Sequence, residues 1–123
     1  MSIEAAIFET LKGLVGERVF QNVSKTPPPS PYITYQLVGG VAVNFLDPTV
    51  PSKKNSRWQI DVWSKRPLEV ANISQQVEDL LRMAPALQTT VLGAASGAYE
   101  PDTKLHGRRQ DFSFWYSPVL AQT

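Results

Sequence analysis

The chain has 123 residues, a formal net charge of +1 and an apolar fraction of 42%, which fits one globular domain over residues 1–123 that buries its own core. The near-neutral charge excludes a long-range field that would gather nucleic acid or membrane. The absence of cysteine excludes disulfides, thiolate nucleophiles and cysteine metal sites. No apolar stretch approaches the roughly 18 residues of a membrane span, and the opening segment lacks the basic-then-apolar pattern of a signal peptide. The two sequons, Asn22-Val23-Ser24 and Asn72-Ile73-Ser74, carry no weight without such a signal.

In chain order, residues 3–15 read as a helix. Ile3, Ile7, Leu11 and Leu14 follow helical spacing. Ser2 suits the cap, Glu4 the first turn and Gly16 the stop. Phe8 falls off the stripe and needs a wide apolar face. Arg18–Val23 is a short strand, and the run from Pro27 to Pro31 is a stiff extended connection. Residues 32–45 read as one long strand broken at Gly39-Gly40. More strand rather than a helix follows those glycines, so they mark a bulge or bend and not a phosphate loop.

Residues 46–56 form a loop broken by Pro48 and Pro51, long for a hairpin and therefore a candidate contact element. Residues 57–64 are the clearest strand, with Trp58, Ile60 and Val62 on one face and Arg57, Gln59, Asp61 and Trp63 on the other. Residues 67–83 form the second helix, with Pro67 in its first turn and Val70, Ile73, Val77, Leu80 and Leu81 on one side. Weaker strands are expected at Thr89–Leu92 and Ala98–Pro101. The final strand, Arg108–Ser117, alternates Phe112, Phe114 and Tyr116 with Arg109, Asp111, Ser113 and Trp115, and Pro118 closes it.

The expected fold is therefore α+β: a two-layer sandwich, with a mostly antiparallel sheet and two helices packed on one face. The helices would cover Ile33, Tyr35, Leu37, Trp58, Ile60, Val62, Phe112, Phe114 and Tyr116. Trp63 and Trp115 fall on the uncovered face, where large aromatics mark a partner surface.

Residues with chemical potential are few. The single histidine, His106, sits beside Gly107 in an expected turn and reads as a solvated loop residue. A metal site needs several ligands at defined spacing, and no such set is present. Asp61 and Asp111 could act as paired carboxylates. Each has an arginine on its own face, Arg57 and Arg109, so cross-strand salt pairing is the simpler reading. No nucleophile elbow occurs. Two small basic clusters, Lys53-Lys54 with Arg57 and Arg108-Arg109, leave open a weak contact with nucleic-acid phosphates.

The segment from Arg57 to Leu81, RWQIDVWSKRPLEVANISQQVEDLL, resembles the core signature of the phage tail-completion family, whose members are also described as tail terminators or head-to-tail joining proteins. The matching positions are Arg57, Gln59, Ile60, Asp61, Val62 and Trp63, followed at once by the amphipathic helix. The ending from Tyr99 to Ser117 resembles the family's closing region, and the N-terminal helix, strand and Pro-containing segment before Tyr32 also fit.

The resemblance implies a structural virion protein of a long-tailed phage or prophage, made in the host cytoplasm, with no catalysis and no cofactor. It implies a ring, commonly a hexamer, at the head-proximal end of the tail, where it stops growth of the tail tube and joins it to the head or neck. Its partners would be copies of itself, the tail tube protein and head-connector or neck proteins, with a weak non-specific contact to passing DNA and no membrane. A ring needs two different patches on each subunit. The candidate interface is the outer sheet face with Arg57, Asp61, Trp63, Arg109, Asp111 and Trp115; the candidate contact loop carries Asp47, Lys53 and Lys54. Two rival readings stand beside it. One is a monomeric ligand- or nucleic-acid-binding module stacking bases on Trp63, Trp115 or Tyr99. The other is a hydrolase using Asp61 or Asp111 with His106.

Overall fold

A computed structural model describes residues 2–22 and 28–117. Helix α1 (Ile3–Leu11) starts where expected, because the Ser2 hydroxyl accepts a hydrogen bond from the Ala5 amide at 3.0 Å. A 3₁₀ turn, Lys12–Leu14, completes the expected helix. Strands β1 (Val19–Gln21), β2 (Tyr32–Gly39) and β3 (Lys54–Ser64) follow, then helix α2 (Pro67–Met83) and strands β4 (Thr89–Val91), β5 (Ser96–Glu100) and β6 (Leu105–Tyr116). The expected strand end at Val23, the sequon at 22–24, the first proline of the Pro27–Pro31 run and the closing Pro118 lie outside the described residues.

The six strands form one sheet in the order β1-β2-β3-β6-β4, with β5 also on β6. Only β1 and β2 run parallel. β3 and β6 pair antiparallel over their whole common length, from Lys54↔Tyr116 to Ser64↔His106. β4 and β5 lie end to end along the other edge of β6, facing Phe112–Phe114 and Leu105–Arg109 respectively. The fold is the expected α+β arrangement of two helices and a mostly antiparallel sheet.

The core forms as alternation predicts. Ile33, Tyr35, Trp58, Ile60, Val62, Phe112 and Phe114 meet Ile3, Ile7 and Leu11 of α1 and Val70, Ile73, Val77 and Leu81 of α2. Phe8 packs at the margin with Tyr116, so α1 does present a wide apolar face. The Trp58 indole N–H donates to the Ser56 hydroxyl at 2.9 Å, which satisfies the polar end of a ring that is only 1% exposed. Gln110 is a buried polar residue on the helix side of β6. Its amide donates to Glu78 Oε1 at 2.8 Å and to the Gly93 carbonyl at 2.7 Å, tying the helix, the central strand and the β4–β5 connection together.

Three expectations change. Leu37 shares the face of its strand partner Trp58 but is left uncovered and is 52% exposed. Among the described residues β1 pairs only with Ile33–Tyr35 of β2, and the register of β2 on β3 shifts between Leu37 and Gly39. The strand does not continue to residue 45, because the chain departs from the sheet at Gly39-Gly40. The loop therefore spans residues 40–53 instead of 46–56, and β3 begins three residues early at Lys54. His106 lies within β6, paired with Ser64 and Tyr99, and not in a turn.

Candidate assembly surface

The helix-free face of the sheet is built by alternate residues of β3 and β6. In its middle lies a charged band. The Arg109 guanidinium donates from Nε and Nη2 to Asp61 Oδ1 and Oδ2, both at 3.1 Å, across a directly opposed pair. Two-point contact to a planar carboxylate is the stronger geometry, and Asp61 is only 8% exposed. The hydrogen bonds and charge of Asp61 hold the Arg109 guanidinium even more basic than usual. Arg57 reaches diagonally to Asp111 Oδ2, with Nε at 3.1 Å. Both aspartates are thus taken up in cross-strand pairing. His106 faces away from them, because its strand partner Ser64 lies on the helix side and hydrogen-bonds Glu69 of α2. Asp61, Asp111 and His106 do not converge on a common point.

Trp63 and Trp115 do not form one patch. Trp63 is opposite Gly107, Trp115 is opposite Asn55, and eight residues of β6 separate the two positions, roughly 27 Å of extended chain. Trp63 lies directly over Gly107. A Cβ on that glycine would fall 2.6 Å from the indole, so the missing side chain makes the seat for the ring. Tyr32 is the cross-strand neighbour of Trp63 and packs edge-on against Phe20 at 6.5 Å. Burial pushes the Tyr32 phenol above its ordinary pKa. This end of the face is an aromatic corner, partly filled by its own chain. Trp115 belongs to the opposite end, beside the root of the 40–53 loop.

That loop is an arm with a constructed root. Gly40 has φ +153°, and a Cβ there would meet the Asn55 carbonyl oxygen at 2.7 Å. The Asn55 side chain accepts from the Val41 amide at 2.8 Å and donates to the Ser113 hydroxyl at 2.7 Å and the Phe114 carbonyl at 3.1 Å. One amide side chain therefore fastens the arm to β6. Farther out, Leu46 is fully exposed, and Val41, Phe45 and Val50 are also open to solvent. Asp47 accepts from the Thr49 amide at 3.0 Å in a local turn, and hydrogen bonding from the Thr49 side chain, then from that amide, holds its carboxyl below the usual range. Lys53 and Lys54 have no ion-pair partner among the described residues.

The expected interface residues thus divide into a self-neutralised band (Arg57, Asp61, Arg109, Asp111), a seated Trp63, and Trp115 beside an arm that carries Asp47, Lys53 and Lys54. Composition and alternation did not reveal Asn55 or Gly107, and they marked Gly40 only as part of a bulge or bend. They also assigned the apolar residues 41–45 to a strand, although the glycine pair before them and Pro48 after them bound a projecting segment. Among the described residues no group of three or more potential metal ligands occurs, and no helix is long and apolar enough to cross a membrane.

The surface thus combines a sheet face with its charges paired and a rooted arm with apolar side chains in solvent. The chain belongs to the family Tail completion protein gp17, which matches over residues 5–117. It is accordingly a structural protein of phage-type tails. Among solved structures it is similar to a chain of a structure described as the virion of a native gene transfer agent particle. That similarity has a TM-score of 0.63 and 17% identity over 94% of this chain and 95% of the other, and establishes a shared fold. No curated protein sequence matches significantly.

Proposed function

We propose that this chain acts as a single domain, forms a ring of identical subunits at the head-proximal end of a phage or prophage tail, stops growth of the tail tube there, and joins it to the head or neck. The ring is a hexamer in this reading. Its neighbours are the tail tube protein and head-connector or neck proteins, and it is made in the host cytoplasm before it enters the virion. It works by contact and not by catalysis. The family match across nearly the whole chain is the observation that carries the proposal. The arm projects from one side of the domain, so a subunit can offer it to an unlike surface of its neighbour, as a closed head-to-tail ring requires. Contact with passing DNA in this reading is weak, since Arg57 and Arg109 are neutralised by aspartates.

Particles lacking the gene test this directly. The expected phenotype is full heads and tails that fail to join, with tails of irregular length. Complementation by a tagged copy should place the tag at the head–tail junction in electron micrographs. Normal joining without the gene, or a tag spread along the tube, would refute the proposal. The rival monomeric nucleic-acid binder predicts tight, steeply salt-dependent binding to single-stranded oligonucleotides by a protein that never assembles.

A further inference from the structure

The end of β2 exposes Leu37 and Val38, and the arm that follows exposes Val41, Phe45, Leu46 and Val50. Isolated apolar residues on a surface are ordinary, but a contiguous set is a contact site. Its root is fixed by Gly40 and Asn55, so the arm is held out from the sheet at a set position. An apolar element this exposed needs an apolar acceptor.

The same chain carries one. Between α1 and the end of α2 lies an open groove of about 420 Å³, floored by Ala6, Leu80, Ala86 and Leu87 and flanked by Met83, which is 69% exposed. Glu9 stands at its rim. Charge also favours this match. The helical layer carries Glu4, Glu9, Glu69, Glu78 and Asp79 against only Lys12 and Arg82, which pair with Glu9 and Glu78 and leave Glu4, Glu69 and Asp79 as the acidic excess. The groove lies at the C-terminal end of α2, where the helix dipole is negative. The arm ends in Lys53, followed by Lys54 at the start of β3; neither has an ion-pair partner among the described residues, and the arm's single acid, Asp47, is occupied in its own turn.

We infer that the arm of one copy docks, through Phe45 and Leu46, in the α1–α2 groove of the next copy, with Lys53 and Lys54 set against the acidic helical layer. This rests on the ring reading and adds which two patches meet. Donor and acceptor are different surfaces, so every subunit both gives an arm and receives one, the geometry that closes into a ring.

The absence of cysteine makes a clean test. Two single-cysteine variants, Leu46→Cys and Met83→Cys, are mixed in equal amounts under conditions of assembly and oxidised. Both positions are exposed, so neither change disturbs the core. The expected product is the mixed 46–83 disulfide, several-fold above either same-site dimer. Leu46→Cys mixed with Gln76→Cys, on the exposed middle of α2, should give no comparable product. Dominant 46–46 links, equal linking at position 76, or linking of the Leu46→Cys variant to a different tail protein in purified particles would each overturn the docking. Native mass spectrometry of the wild type, free and recovered from particles, separates the two levels. Rings without a 46–83 link reject this contact and leave the ring reading intact. No ring from either source rejects both.

Discussion

The two ends of strand β2 follow different rules. Its first half, Tyr32–Tyr35, is buried, flanked by β1 and covered by neighbouring side chains. Its second half and the arm beyond it expose apolar side chains to water while their root is fastened by Asn55. The first region obeys the demands of folding a single chain. The second leaves apolar surface unburied, which the single chain gains nothing from. That contrast separates residues that stabilise the single chain from residues we propose to make contacts, and it can be broken or sharpened by mutation.

The largest effect is expected at Trp58, which is 1% exposed at the centre of the core. Trp58→Ala should cost about 3–5 kcal/mol, read as a lowered midpoint in chemical denaturation. An effect on the scale of a surface residue would mean that the core is not centred on β3 and β6.

Gly107→Ala comes next. The added methyl would meet the Trp63 ring at 2.6 Å, a clash expected to cost about 1–3 kcal/mol. In a double-mutant cycle, Trp63→Ala should relieve most of that cost. Additive losses would show that Trp63 does not sit on Gly107.

Most of the covered region was legible in the sequence. Trp58, Ile60 and Val62 alternate with Arg57, Gln59 and Asp61, and the second helix was bounded at Pro67 and Met83 as observed. Periodicity reports a face that is buried by its own chain, so it works where the helices lie. It misled at Leu37 and at residues 41–45, where the pattern of apolar residues persists but no described residue buries them. The pairing of Asp61 and Asp111 with arginines could be read from one face of two strands. The choice of partners, Arg109 with Asp61 and Arg57 with Asp111, required the register. The seat of Trp63 on Gly107 and the Asn55 anchor depend on strands that lie far apart in sequence, and no local signal announces them.

Smaller effects concern the charges. Asp61→Asn should cost about 0.2–1 kcal/mol, and the loss should shrink in high salt. Glu78 gives a pH signature. The hydrogen bond from Gln110, and then the contact with Arg82, hold its carboxyl below the ordinary 4.5. Its contribution is therefore present above about pH 4.5 and disappears as the pH falls through the depressed folded-state value. Glu78→Gln should flatten this part of the stability profile between neutral and acid pH. An unchanged profile would show that Gln110 does not stabilise the ionised carboxylate.

The most direct test of the division between a self-sufficient core and a contact arm is the double variant Phe45→Ser/Leu46→Ser, measured for both thermal unfolding and head–tail joining. Both side chains stand in solvent, so stability should stay within about 0.5 kcal/mol of the wild type, while joined particles should be lost. Wild-type yields of joined particles, or a protein that no longer folds, would contradict the account.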